Sequence, residues 1–269
     1  MSTSHRLAPR TALFLPASNP RAIEKARGLA ADMVILDLED AVRAEDKGGA
    51  RDAAVAAVAA GFGDRIVAIR TNAGDTPEFT WDAVAVAGSA ADYAVVPKVE
   101  SAADAERIVA AVGKPVLAMI ETPAGVLAAV GIAAVPGVVG LIAGVNDLRA
   151  TLGIASGRAG LTLALQTIVL AARAGGGWAI DGVFNLLDDA DGLAAECREG
   201  RAMGFDGKSL IHPNQIAIAA EAFGPSAAEL ADAHALIAAA TGGAERFGER
   251  MIEAMHVDQA RALIERAGR

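Results

Sequence analysis

Residues 117–147 read LAMIETPAGVLAAVGIAAVPGVVGLIAGVND. Two apolar runs, 115–120 and 138–143, have the length and composition of buried strands, and each is followed by a carboxylate, Glu121 or Asp147. Residues 126–130 lie between them in a segment long enough for a helix. Strand, helix and strand in this order make a right-handed crossover, which puts both acids at the carboxyl edge of one parallel sheet. Neighbouring carboxylates repel each other unless a cation sits between them. Mg²⁺, or Mn²⁺ in its place, suits such a pair, because it takes one or two protein carboxylates and leaves its other positions to water and substrate. Either acid alone could equally be a helix cap, so the pair gains its meaning from the rest of the chain.

Outward from this stretch, short β-like runs alternate with Ala-rich helical segments. Strands are expected at 11–15, 33–37, 66–70, 93–96, 115–120, 138–143, 179–181 and 207–210, the seventh with the weakest signal. The clearest helices are 20–31, 47–60, 102–112, 161–174, 193–203 and 213–222. Eight such units predict a TIM (β/α)8 barrel over residues 1–224, with its active site at the carboxyl ends of the strands. A doubly wound open sheet would want a glycine fingerprint after the first strand, where this chain has FLPASNP. Two further helical stretches, 227–240 and 246–267, form a C-terminal helical arm over 225–269, expected to pack on a neighbouring subunit.

The bulk properties exclude several classes. A chain of 269 residues with 53% hydrophobic content can bury a large core, yet no apolar stretch reaches membrane-spanning length. A net charge of −9 argues against a general nucleic-acid binder while leaving room for a local basic site. No apolar signal segment follows the basic N-terminus, so a cytoplasmic protein is expected. The single cysteine, Cys197, sits in a helical context and reads as an inert thiol. Four histidines without HExxH spacing or a Cys/His cluster give no support to zinc.

Polar residues past the strand ends converge on one mouth if the barrel is right. Strand two ends in DLEDAV with Asp37, Glu39 and Asp40; strand three ends at Arg70, followed by Asn72. Strand four brings Lys98 and Glu100, and strand eight Lys208 and His212. Singly, each has a plain explanation: a cap, a surface pair, or a counter-charge. Together, so many charges ending buried strands carry a large desolvation cost without a ligand to offset it. The set suits an acidic substrate held by metal. Arg70 is built to bind a carboxylate or enolate oxygen, and a chelating metal polarises a C–C bond for aldol-type chemistry. A Schiff base at Lys98 is disfavoured, since the nearby acids hold its ammonium protonated.

The motifs RTALFLPASNPRAIEKA, ADMVILDLEDAV, KGGAR, IRTN, VVPKVES, IETPAGV, GVNDL, AIDGVF and GFDGKSLIHPNQI run in order through residues 10–222. In these the chain resembles the citrate lyase β-subunit-like proteins of the HpcH/HpaI aldolase superfamily, which includes malyl-CoA and citramalyl-CoA lyases. The resemblance implies a TIM barrel, Mg²⁺ and reversible Claisen or aldol chemistry on acyl-CoA thioesters, in a trimer or hexamer. By position, Glu121 and Asp147 match the metal ligands and Arg70 the substrate-binding arginine. Asp37, Glu39 and Asp40 match the supporting acidic motif. Pro16, Ser18, Asn19, Arg21 and Lys25 lie in the stretch expected near CoA. Arg21 and Lys25, four apart on one helical face, suit phosphate binding, although Glu24 or Asp32 would serve them as partners too.

One departure from the family pattern lies in the arm. Many relatives carry a GKMID-like motif there, whose aspartate serves a neighbouring active site in acid–base work. Here the stretch reads GERMIE, which puts Glu253 at that position and Asp258 five residues on. A longer side chain changes the base's reach, which bears on thioesterase or synthase activity more than on the metal site. The expectation is a Mg²⁺-dependent lyase that cleaves a 3-hydroxyacyl-CoA such as citramalyl-, malyl- or citryl-CoA to acetyl-CoA and an oxo acid. Arg70 would bind substrate, and Glu253 or Asp40 would serve as base, with Glu39 in support. The alternatives are a citrate lyase subunit working on an acyl carrier protein thioester, a class II aldolase of free oxo acids, and a non-catalytic CoA-ester binder.

Overall fold

The computed structural model describes residues 7–268. Its first half alternates β1 (Thr11–Pro16), α1 (Pro20–Ala26), β2 (Met33–Asp37), α2 (Lys47–Ala60), β3 (Ile66–Arg70), α3 (Pro77–Gly88), β4 (Tyr93–Val96) and α4 (Ala102–Val112). The second half continues with β5 (Val116–Ile120), α5 (Pro123–Ala133), β6 (Val138–Ala143), α6 (Val145–Thr151), α7 (Thr162–Ala174), β7 (Trp178–Asp181), α8 (Ala190–Met203), β8 (Gly207–Leu210) and α9 (Ile216–Phe223). Neighbouring strands are parallel throughout, and β8 pairs with β1, so the eight strands close into the expected TIM barrel.

Strands β2, β3 and β5 are buried at every position, as a sheet covered on both faces requires. Their residues alternate between two cores. Met33, Ile35, Ala68, Val95, Leu117, Ile142 and Ile180 fill the barrel interior. Val34, Leu36, Ile69, Ala118, Ile120 and Leu141 point outward into the layer beneath the helices. Cutting Leu141 back to alanine would cost about 2–5 kcal/mol, the usual range for a fully buried leucine. Polar caps start the helices at the mouth: Asn19 accepts from Ala22 N, Ser101 from Asp104 N and Thr122 from Gly125 N. Proline at the first helical position of α1, α3 and α5 adds a preset φ where no donor is needed.

Some boundaries depart from the sequence reading. The helix expected over 20–31 stops at Ala26, and the chain turns before β2. Helix α6 begins two residues after β6, so Asp147 sits in the first turn of a helix and not on a strand end. The arm consists of α10 (Ala227–Ala239), a hairpin of β9 (Glu245–Phe247) and β10 (Arg250–Ile252), and α11 (Ala254–Ala267). A helix over 246–267 was expected; its first third is the hairpin instead. Gly248 at φ +58° turns the chain there, a conformation that ends helical continuity and favours glycine.

The arm has its own small core of Ala233, Leu236, Ile252 and Ala260. It is tied to the barrel by Arg201 with Glu229 at 2.7 Å, and by Arg266, whose Nη2 donates to the Asp206 carbonyl at 2.7 Å. Asp206 immediately precedes β8, so the tail of α11 is fastened at the amino end of the barrel, away from the mouth. Among the described residues no helix is long and apolar enough to cross a membrane.

Candidate active site

Strand register brings the site together. Pro16, Asp37 and Arg70 are neighbours across β1, β2 and β3 at the carboxyl end of the barrel. A cavity of about 400 Å³ opens there, bordered on its charged side by Asp37, Asp40, Arg70 and Asp147, and on its apolar side by Phe14, Val145, Val183 and Ile211.

Arg70 is held hard. Its Nε and Nη2 donate to Asp37 Oδ1 and Oδ2, both at 2.7 Å, and its guanidinium carbon lies 5.1 Å from the Phe14 ring centre. Burial alone would lower the guanidinium pKa, but Asp37, Glu39 and Asp40 outweigh it and raise it. Arg70 therefore stays charged, and Nη1, the nitrogen not engaged by Asp37, donates to Met119 Sδ at 3.9 Å. That nitrogen is 2.8 Å from Glu39 Oε2, off a hydrogen-bonding line, so this buried oxygen has charge nearby and no hydrogen-bond partner. Asp40 is exposed at the rim, 3.9 Å from Arg70 Nη1.

Lys98 links the acids. It is the one non-glycine residue with positive φ among the described residues, at +53°. In that conformation its backbone N donates to Glu121 Oε1 at 2.8 Å while its Nζ donates to Glu39 Oε1 at 2.9 Å and lies 3.8 Å from Asp147 Oδ2. Burial would lower the lysine pKa, but Glu39 first, then Glu121 and Asp40, raise it. A protonated amine is no nucleophile, which argues against a Schiff base at this position.

Glu121 is pushed up to about 7, by burial first and then by the charges of Glu39 and Asp147. The Lys98 backbone hydrogen bond and the charge of Arg70 pull it down by less than burial and the two acids push it up. Gly144 makes room for the Glu121 carboxylate: a Cβ at that position would overlap Glu121 Oε2. Among the described residues no group of three or more His, Cys, Asp or Glu side chains is placed to hold a metal ion by itself. Two carboxylates with hard oxygen donors, plus the partnerless Glu39 Oε2, fit an open site in which water or substrate completes the shell of a hard divalent cation.

The remaining sequence candidates scatter. Pro16 borders the cavity. Ser18, Arg21 and Lys25 are exposed, and Asn19 caps α1. The acids that could have neutralised the two cations are taken, Glu24 by Arg27 and Asp32 by Arg10, and neither Arg21 nor Lys25 has an ion pair among the described residues. Glu100 is exposed outside the main cavity, and His212 caps the turn Pro213–Gln215. Lys208 does not reach the mouth. It is the outward residue of β8, fully buried, with Nζ 3.0 Å from Asp181 Oδ2 and 2.7 Å from Glu196 Oε1. Cys197 lies beside this network, its thiol raised to about 11 chiefly by burial, as suits an inert residue. Glu253 is exposed at the start of α11, where it forms a capping box with His256, and it does not border the cavity of its own chain.

Several supporting residues were not singled out in the sequence. Asp82, fully buried on α3, accepts from Asn72 N, Asn72 Nδ2 and Arg51 Nε at 2.6–2.8 Å. Lys47 donates to the Leu38 and Glu39 carbonyls at 2.9 and 3.1 Å. Lys47 and Arg51 are the charged ends of KGGAR, four apart on α2, and together they pin the loop that carries Glu39 and Asp40. The motif was visible; its purpose needed α3, which had no strong helical pattern.

The family model described as HpcH/HpaI aldolase/citrate lyase matches residues 10–213. The chain belongs to this family. It is 44% identical over 276 residues to a (3S)-malyl-CoA thioesterase of Cereibacter sphaeroides, covering 98% of this chain and 96% of the relative. A citrate lyase subunit beta-like protein of Mycobacterium tuberculosis is 37% identical over 265 residues, covering 95% and 94% of the two chains. Among solved structures, CitE from M. tuberculosis in complex with magnesium, acetoacetate and coenzyme A superposes with a TM-score of 0.83 at 36% identity, over 97% of this chain and 99% of that one. The resemblance seen in the motifs is thereby confirmed, and with it the expectation of an enzyme of this lyase family.

Proposed function

We propose that this protein is a Mg²⁺-dependent lyase that cleaves a short 3-hydroxyacyl-CoA thioester carrying a second carboxylate, such as malyl-, citramalyl- or citryl-CoA, to acetyl-CoA and a 2-oxo acid. The observation that carries it is that Asp147 and a buried Arg70 line one barrel mouth, with Glu121 behind Gly144 of that lining and coupled to the charges of both, on a chain whose relatives act on malyl-CoA and bind magnesium and CoA. Glu121 and Asp147 would hold the metal. When bound, Mg²⁺ would add positive charge beside Glu121 and Asp147 and polarise the substrate's hydroxyl and carboxylate oxygens.

The protein's own groups do the rest. Asp37 fixes Arg70 in the cavity wall, where the guanidinium would stabilise charge on the oxygen that becomes the oxo group. Lys98 holds Glu121 and Glu39 in register from both its backbone and its ammonium. Asp40 at the rim takes the hydroxyl proton through a water, or Glu253 delivered by a neighbouring subunit does so. The C–C electrons pass to the acetyl-CoA carbon, which is then protonated. CoA phosphates would lie along α1, where Arg21 and Lys25 present exposed charge beside Pro16. An assembly of subunits is supported by exposed Leu127 and Val130 on α5 next to exposed Leu163 and Leu170 on the adjacent α7.

A second reading, hydrolysis of the thioester, is favoured by the 44% identical malyl-CoA thioesterase. Purified enzyme with malyl-, citramalyl- and citryl-CoA, with Mg²⁺ or EDTA, separates them. Acetyl-CoA with an oxo acid establishes the lyase, and free CoA with the intact hydroxy acid establishes the thioesterase. Acyl carrier protein thioesters and free oxo acids in the same assay test the remaining alternatives.

A further inference from the structure

Ser209 is 1% exposed, and its Oγ has no hydrogen-bond partner. It is nevertheless a lining residue of the mouth cavity. Strand alternation explains the placement: Lys208 points out of the barrel to Asp181 and Glu196, so Ser209 points in, level with Ala12 on β1. A buried hydroxyl without a partner is uncommon in a settled interior and calls for an explanation.

The donors available at this mouth are few. Asp37, Asp40 and Asp147 as carboxylates are acceptors that repel an acidic ligand. Arg70 has committed Nε and Nη2 to Asp37, and its Nη1 lies 2.8 Å from Glu39 Oε2 and donates to Met119 Sδ at 3.9 Å. Asn146, the other neutral polar side chain of the lining, exchanges hydrogen bonds with Asn185 at 2.7 and 3.4 Å. Ser209 is thus the neutral side-chain donor of the lining that has no partner among the described residues. It stands at the end of β8, apart from the acids of β2.

We propose that Ser209 is a specificity-determining residue that donates its hydroxyl hydrogen to an oxygen of the 2-oxo-acid half of the substrate, fixing the acid in the cavity. Resting on the lyase reading, the inference assigns to β8 a contact to the acid besides that of Arg70. A ligand that brings an acceptor gains a hydrogen bond to a group already dehydrated by folding, whereas one without an acceptor leaves that hydroxyl unpaired.

The test is calorimetric titration of wild type, Ser209→Ala and Ser209→Cys with oxalate, pyruvate and glyoxylate in Mg²⁺, together with melting curves of the unliganded proteins. Wild type should bind at least one of the acids. Ser209→Ala should bind it about 10–100-fold more weakly, the usual effect of losing a hydrogen bond to a charged group, and the weak thiol donor of Ser209→Cys should fall between. Mg²⁺ affinity and the affinity for CoA alone should stay within about twofold, and the unliganded alanine variant should melt no lower than wild type, because a partnerless hydroxyl adds nothing to the fold. Acid binding by Ser209→Ala equal to wild type would overturn the contact while leaving the lyase reading intact. A lowered melting temperature accompanying the loss would overturn it in favour of a packing role. Failure of wild type to bind any of the three acids would sink the lyase reading itself, and the contact with it.

Discussion

Arg70 and Asp37 face each other on adjacent strands as a two-bonded buried pair, Nε to Oδ1 and Nη2 to Oδ2 at 2.7 Å each. The geometry is that of a fixed fork, which lysine cannot reproduce. Arg70→Lys should therefore lower kcat/KM by at least about 100-fold, and Arg70→Ala should also cost about 3–5 kcal/mol of stability by leaving buried Asp37 uncompensated. Asp37→Asn should reproduce much of the kinetic loss through a misoriented guanidinium. Steady-state kinetics and urea melts of the three variants and of the double variant check this. Additive effects of Arg70→Lys and Asp37→Asn would show that the pair does not act as a unit.

Asp147 is half-buried in the first turn of α6, while Glu121 is buried. Asp147→Ala should leave the melting temperature without metal within a few degrees of wild type. It should remove the rise that millimolar Mg²⁺ gives wild type, and lower turnover by at least about 100-fold. Persistence of the Mg²⁺-induced rise in this variant would move the metal away from Asp147.

Glu121 gives a pH signature in EDTA. Its folded pKa of about 7 lies above the ordinary carboxylate value of 4.5, so the folded protein binds the proton more tightly than the unfolded chain. That contribution is fully present below about pH 4.5 and is lost as pH rises through 7, to an extent of about 3 kcal/mol. Stability in EDTA should thus decline from pH 5 to pH 8, Glu121→Gln should flatten the decline, and Mg²⁺ should reverse it for wild type. Calorimetric melting across that range is the measurement, and a wild-type profile parallel to that of Glu121→Gln would remove Glu121 as its source.

How much of the molecule was legible in its sequence depended on how local each signal was. The barrel was legible because its strands are short, apolar and evenly spaced runs such as MVILD, IVAIR and VLAMI, each fully buried. The grouping of Glu121, Arg70 and the DLEDAV acids was legible because strand ends in this topology share one mouth, and Asp147 joins them from the first turn of α6. Lys208 was misplaced because a one-residue step along a strand reverses its direction, and a lysine on the outward face of a buried strand looks from sequence like any other lysine. The bidentate use of Arg70 by Asp37 depends on register between β2 and β3, which no single motif contains. Asp82 and Ser209 were unreadable for the same reason: what matters at each is the partner across the fold, present for Asp82 and missing for Ser209.

Gly144 precedes α6 at φ −94°, so its backbone would accept any residue, and its constraint is space. An added Cβ would overlap both Cβ and Oε2 of Glu121. Gly144→Ala must therefore displace Glu121 from the backbone N–H of Lys98. Mg²⁺ affinity should fall by about 10–100-fold, the size typical of disturbing the surroundings of a metal ligand. Isothermal titration with Mn²⁺ as the probe reads this directly. Unchanged affinity would mean that the carboxylate finds an equivalent place.

Glu253 lies on an arm fastened through Arg266 to Asp206 at the amino end of the barrel. If the arm of one subunit completes the mouth of the next, two inactive variants should rescue each other. Glu253→Ala supplies an intact mouth and Asp147→Ala an intact arm, so mixed and reassembled oligomers would contain about one complete site in four at equal proportions. Recovery of about a quarter of wild-type activity after co-refolding, against near-zero activity of each variant alone, is the expected result. Full activity of Glu253→Ala by itself would instead leave the proton transfer to Asp40, whose carboxylate already stands at the rim beside Arg70. Inactive mixtures of correctly assembled oligomers would rule out completion of one subunit's mouth by the arm of the next.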